Sequence, residues 1–273
     1  MIKTKAPWRR VALFFFALIL QACAAPHRVF DANASQAGWE RRDLVGTEFT
    51  HAVYDNGAVR NNGRLHVYLN GDGQPWVLRY FTTRDPTIDS TLALDLMQRD
   101  PHAGVLLGRP CYHGLLAPPC DVWLWTSGRF SETIVASMTA ALTQIISARA
   151  ATSVVLIGHS GGGTLAMLIA ARVPEVTHVV TIAGLLDTDA WTRHHDYSPL
   201  SNSLNPATQP PLPASIKQLH LLGARDKNTT PAAMLPSLNR QPNITKKILH
   251  DFAHVCCWKN RWPDLLDDWL LRD

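Results

Sequence analysis

Apolar positions along this chain change period in a regular alternation. The runs Leu65–Leu69, Ala103–Leu107, Ser153–Ile157, Val176–Ala183, Ile216–Leu222 and Ile244–Leu249 are short and mostly apolar, the length and texture of strands covered on both faces. Between them the apolar residues fall three and four apart. Asp85-Pro86 reads as an N-cap with proline at the first helical position, followed by Ile88, Leu92 and Leu96. Ser131 caps a helix whose buried face is Ile134, Val135, Met138, Leu142, Ile145 and Ile146. Further helices are predicted over 164–173, 231–238 and 263–271, the last with Leu265, Leu266, Trp269 and Leu270 on one side.

Strands alternating with amphipathic helices predict the α/β class: a mostly parallel central sheet with helices on both faces. No repeat period is present, which excludes a solenoid or propeller. Residues 44–273 account for one domain. Within it, 187–213 is rich in Pro, Asn, Ser and His and reads as a loop forming a small lid. Residues 23–43 are polar and read as a tether.

The first segment has another character. Lys3, Lys5, Arg9 and Arg10 precede the apolar run Val11–Leu20, which is about half the roughly 20 residues a membrane-spanning helix needs. Residues 1–22 therefore read as an export signal. Its end, Leu20-Gln21-Ala22-Cys23, resembles a bacterial lipobox, with Gln21 departing from the usual small or apolar residue. The resemblance implies an acylated Cys23 and a lipid anchor in the bacterial cell envelope, and Ala24 at the next position implies the outer membrane, facing the periplasm. The alternative is a plain secretory signal cut near Ala22, Ala24 or Ala25.

Composition narrows the remaining classes. A chain of 273 residues, 46% hydrophobic and 18% charged, excludes a disordered or coiled-coil protein. Four of its 26 basic residues sit in the signal, so the other 22 balance 22 acidic ones. Neither nucleic acid binding nor a cationic membrane-binding surface is implied. No ligand spacing suggests a metal centre, and no cofactor is implied. In an oxidising compartment Cys111, Cys120, Cys256 and Cys257 suit two disulfides. Pairing of 111 with 120 would close a short loop, whereas adjacent 256 and 257 bridge only in strained geometry, so cross-links between the two pairs remain open.

The sharpest chemical signal is Gly158-His159-Ser160-Gly161-Gly162, a G-x-S-x-G between a predicted strand and a predicted helix. A serine hydroxyl becomes a useful nucleophile when a sharp turn holds it clear of the backbone and beside a base. Asp226 follows the strand ending at Leu222, and His254 follows the last strand, giving the order nucleophile, acid, base. In these positions the sequence resembles the α/β-hydrolase family over nearly the whole mature chain. The resemblance implies Ser160 as nucleophile, His254 as general base and Asp226 as its orienting acid. It implies an oxyanion hole from the N–H of Gly161 and one of Gly71 or Asp72, with Asn70 standing where many members carry histidine.

Asp187 is the alternative acid; His194, His195, His250 and Asp251 are less well placed, and His159 is read as a packing or orienting residue. The segment 108–131 either lines the substrate pocket, with Trp123 and Trp125 as an apolar wall and Arg109 or Arg129 as an anion contact, or is a stapled surface loop. Its Arg-Pro-Cys and Trp-Thr-Ser-Gly-Arg blocks, with Tyr-Leu-Asn-Gly-Asp-Gly upstream and His-Val-Cys-Cys-Trp downstream, are similar to those of bacterial lipoprotein hydrolases. The implied activity is hydrolysis of a small carboxylic ester or thioester through an acyl-enzyme. Its alternatives are a peptidase or amidase on the same triad, and a non-catalytic binding lipoprotein of the same fold.

Overall fold

A computed structural model describes residues 25–55, 57, 63–88, 90, 92–102 and 104–270. The export signal and the lipobox residues Leu20, Ala22 and Cys23 lie outside the described residues. The chain forms α1 (Pro26–Gln36), β1 (Glu40–Val45), β2 (Thr50–Asp55), β3 (Arg64–Leu69), β4 (Trp76–Val77), β5 (Phe81–Thr82), α2 (Leu92–Arg99) and β6 (Gly104–Leu107). It continues with a 3-10 turn at Val122–Trp125, α3 (Glu132–Arg149), β7 (Ser153–His159), α4 (Gly161–Ala170) and β8 (Val176–Ile182). The last elements are α5 (Thr188–His195), β9 (Lys217–Gly223), α6 (Pro231–Leu238), β10 (Ile244–Leu249) and α7 (Trp258–Leu270).

Eight strands make the main sheet, in the order β1-β2-β6-β3-β7-β8-β9-β10. From β6 to β10 every neighbour is parallel, whereas β1 pairs antiparallel with β2, and β2 antiparallel with β6. Side chains alternate between faces, as the strand period of two requires. In β3, Leu65, Val67 and Leu69 join the core beneath α3 and α4, while Tyr68 joins the opposite core with Phe30, Leu96 and Trp262. Such double coverage explains why these strands read as apolar runs.

Four expectations need correction. Residues 26–43 are part of the domain and not tether: α1 buries Phe30 and Ala34, and β1 is the edge strand of the sheet. Asp85 does not open a helix, because its carboxylate accepts from Thr87 and lies 2.6 Å from His27 Nδ1, and α2 starts only at Leu92. The interval 187–213 contains α5, capped by Asp187, and is not a plain loop. The final helix begins five residues before Pro263, at Trp258, whose fully buried indole anchors it to the core. Among the described residues no helix is long and apolar enough to cross a membrane.

Candidate active site

The parallel strands end on one side of the molecule, and the loops there bring Ser160, Asp226 and His254 together. Ser160 follows β7 at the N-cap of α4, with φ 53° and ψ −122°, a backbone region that disfavours any side chain. The turn is held by Ser160 N–H donating to the Ile182 carbonyl and by Leu185 N–H donating to the Ser160 carbonyl, both at 3.0 Å. Gly162 is required by close approach, since a Cβ there would fall 2.1 Å from the Leu69 carbonyl oxygen. That approach presses the loop after β3 against the turn at Ser160.

The Ser160 hydroxyl lies 3.0 Å from Nε2 of His254, and Nδ1 of His254 lies 2.9 Å from Oδ2 of Asp226. Asp226 is buried and further held by the backbone N–H groups of Asn228 and Thr229 and by the Thr229 hydroxyl, at 2.7, 3.0 and 2.8 Å. Burial pushes its carboxyl up, but the hydrogen bond and charge of His254 together with these donors outweigh it and hold the carboxyl below its ordinary value. The loops bearing Asp226 and His254 are joined by Arg225 N–H donating to the Phe252 carbonyl at 2.9 Å. Trp258 secures the second loop, its indole N–H donating to the Ala253 carbonyl at 3.0 Å.

Asp187, the alternative acid, is occupied elsewhere: its Oδ1 accepts from the N–H groups of Asp189 and Ala190 and from the Asn205 amide. Asp251 pairs with Arg225 in an exposed turn, and His250 is exposed. His159 holds the loop that carries His254, donating from Nε2 to the His254 carbonyl at 2.9 Å. Burial, assisted by the neighbouring His254, pushes its imidazole down to about 4, so it is neutral at neutral pH.

The sequence-derived oxyanion residues sit beside Ser160. Gly71 lies so close that a Cβ there would be 3.2 Å from the Ser160 Cβ, and Gly161, at the start of α4, has an N–H with no intrahelical acceptor. The Asp72 side chain presses on Gly161 and is fixed by two arginines, with Arg109 Nη1 2.5 Å from Oδ1 and Arg129 Nη1 2.9 Å from Oδ2. Burial raises this carboxyl, but the two guanidinium charges win and hold it below its ordinary value. Arg109 is thus a buried support and not an anion contact.

A cavity of about 610 Å³ opens over Ser160 and His254. Segment 108–131 contributes Thr126, Ser127 and Arg129 to its wall. The predicted tryptophan wall is formed by Trp76 and Trp191 instead of Trp123 and Trp125; Trp125 is buried in the core. Sequence reasoning also missed Asn228, whose Nδ2 lies 3.0 Å from His254 Nε2. No local pattern marks an asparagine two residues past an acid. The cysteines pair 111 with 120, Cα atoms 5.5 Å apart, and 256 with 257, so the cross-linked alternative is not the arrangement found. Among the described residues, His66, Asp100 and His102 could together face a metal ion; both histidines are hydrogen-bonded to Asp100, and His66, early in β3, sits toward the strand ends remote from Ser160.

A sheet of this order, with a serine at the turn beyond its fifth ordered strand and a histidine beyond its last, defines the α/β-hydrolase fold. The sequence profile of the lipase (class 3) family matches residues 118–182, the segment that carries Ser160. Solved structures agree at the level of fold. An esterase of Pyrococcus furiosus is 14% identical with a TM-score of 0.63, covering 87% of this chain and 93% of its own. A membrane phospholipase A described as a bacterial virulence factor is 15% identical with a TM-score of 0.58, covering 95% and 96%. The naproxen esterase of Bacillus subtilis is 13% identical with a TM-score of 0.54, covering 90% and 96%. No curated protein matches the chain by sequence.

Proposed function

We propose that this chain is an exported serine hydrolase that cleaves carboxylic esters or thioesters through an acyl-enzyme. The observation that carries the reading is the hydrogen-bonded chain from Ser160 through His254 to Asp226, beneath a cavity large enough for a small-molecule ester. Ser160 Oγ attacks the substrate carbonyl carbon as its proton passes to His254 Nε2. The oxyanion forms against the N–H of Gly161 and a backbone N–H of Gly71 or Asp72. His254 then gives the proton to the leaving alcohol or thiol, and a water deprotonated by the same nitrogen releases the acid. Asp226 keeps Nδ1 protonated and stabilises the imidazolium.

The lipobox resemblance at Leu20, Ala22 and Cys23 supports attachment to the envelope through an acylated Cys23. Labelling with a fluorophosphonate tests the chemistry: the parent is expected to label and Ser160→Ala not to, with ester turnover following the label. Equal labelling of both proteins overturns the assignment of Ser160. For the anchor, membrane-fractionated parent and soluble Cys23→Ser protein is the expected contrast.

A further inference from the structure

The segment Trp76–Phe81 exposes an unusual concentration of large apolar side chains: Leu78 is 77% exposed, Tyr80 82% and Phe81 66%, with Trp76 and Val77 also open to solvent. Single exposed apolar residues need no explanation, but a contiguous group does. Strands β4 and β5 pair only with each other, Trp76 with Thr82 and Val77 with Phe81, and stand outside the main sheet. The connecting turn, closed by Tyr80 N–H to the Val77 carbonyl at 3.2 Å, has positive φ at both Leu78 and Arg79. Such turns are ordinarily built from Asn-Gly. Here that unfavourable backbone is carried by a leucine and an arginine.

The hairpin belongs to the mouth of the cavity over Ser160. Trp76 and Arg79 line that cavity, and the rim continues through Tyr197 and Val255, both exposed. The base of the hairpin is firm, with Thr83 N–H donating to the Pro75 carbonyl and Gln74 N–H to the Pro86 carbonyl, each at 3.0 Å. Three residues beyond β5, Asp85 holds His27 at 2.6 Å, so α1 begins beside the hairpin. Cys23 is four residues before His27 and cannot lie farther from it than about 14 Å. The acyl chain proposed for Cys23 would thus be tethered on the side of the molecule where Asp85 holds His27.

We infer that the β4–β5 hairpin is a lipid-surface docking element that sets the mouth of the Ser160 cavity against a bilayer. The substrate is accordingly an ester carried by a membrane lipid. The substrate assignment rests on the ester-hydrolase reading; docking itself does not. Trp, Tyr and Arg side chains with apolar bodies and polar tips suit the bilayer interface, and Leu78 and Phe81 suit the acyl boundary below it. Arg79 and Arg84 add positive charge that favours anionic headgroups. Of the acidic residues along the mouth, Asp72 is paired with two arginines, leaving Asp196 as the opposing charge.

The test uses the full chain reconstituted into vesicles of phosphatidylethanolamine and phosphatidylglycerol, comparing the parent with a Leu78→Ser, Tyr80→Ser, Phe81→Ser triple variant. None of these three side chains lines the cavity. Turnover of a soluble butyrate ester is expected to be unchanged, while turnover of a vesicle-embedded lipid ester falls at least about fivefold. In a separate Leu78→Cys protein, an environment-sensitive dye at position 78 should shift to the blue on adding vesicles, also in a Ser160→Ala background. Equal vesicle-ester turnover by parent and triple variant, or a dye that stays in water, overturns the proposal. A blue shift produced by raising protein concentration without vesicles also overturns it, by assigning the surface to a second copy. If the parent cleaves neither ester but the dye still enters the bilayer, docking stands and the hydrolase reading falls.

Discussion

Asn228 Nδ2 lies 3.0 Å from Nε2 of His254, the nitrogen that also faces the Ser160 hydroxyl at 3.0 Å. The amide is fixed from its other side, because the Trp191 indole N–H donates to Asn228 Oδ1 at 3.1 Å. With Nδ1–H donated to Asp226, Nε2 has one lone pair, and two donors share it. A proton arriving on that nitrogen would leave the amide without its acceptor.

Removing this amide takes away one of the contacts that fix the His254 ring. Asn228→Ala is expected to lower kcat/KM for a soluble ester by about fivefold at a fixed pH, the worth of about one hydrogen bond, with the urea midpoint little changed. An unchanged kcat/KM excludes Asn228 from a part in positioning His254.

The backbone of Ser160 makes a second prediction. A non-glycine residue at φ 53° and ψ −122° stores about 1–3 kcal/mol, whereas glycine there loses about 0.4–1 kcal/mol through the freer unfolded chain. The strain term is larger. Ser160→Gly should therefore be more stable than Ser160→Ala by about 1 kcal/mol in urea unfolding, with both proteins inactive. Equal midpoints for the two variants would show that the turn is unstrained.

The parts of the fold legible in the sequence are those buried on both faces. β7, the turn at Ser160 and α4 are marked by an apolar run, closely packed glycines and a second apolar run, and the order of Asp226 and His254 follows from the strands before them. β1 was not legible because Glu40–Val45 is an edge strand with mostly charged, solvent-facing side chains that erase the period of two. In α1 only Phe30 and Ala34 are buried, too few to mark a helical stripe. The β4–β5 hairpin was hidden because its turn lacks Asn-Gly, and Asn228 because its role comes from contacts with Trp191 and His254 that are distant in sequence.

Asp72 tests how much the loop beside Ser160 relies on buried charge. Its carboxylate is the shared partner of Arg109 and Arg129, both almost fully buried. Removing it leaves two almost fully buried cations without their counter-ion. Asp72→Asn is expected to lower unfolding stability by about 3 kcal/mol, the range for breaking a buried pair from one side. The measurement is a shift in the urea midpoint at constant m, and a change below about 0.5 kcal/mol would mean that solvent screens the cluster.

Stability should also fall on mild acidification, and buried histidines set the window. Burial pushes His51, His113 and His159 down to about 4, and burial together with Lys246 pushes His220 down to about 3. In the unfolded chain these groups titrate near 6.5. Between about pH 6.5 and 4 the unfolded chain therefore binds more protons than the folded one, and stability rises with pH by about 1.4 kcal/mol per unit for each group. Falling pH removes that stability until the folded imidazoles themselves protonate. Below about 4 the depressed carboxyls of Asp72 and Asp226 continue the loss, since they are protonated more readily in the unfolded chain. Urea unfolding at pH 7, 6 and 5 measures the slope. His220→Gln, which puts a neutral side chain between Thr181 and Gln218, should reduce it by about 1.4 kcal/mol per unit whatever its effect at pH 7. An identical slope in parent and variant would remove His220 as a source of the acid sensitivity.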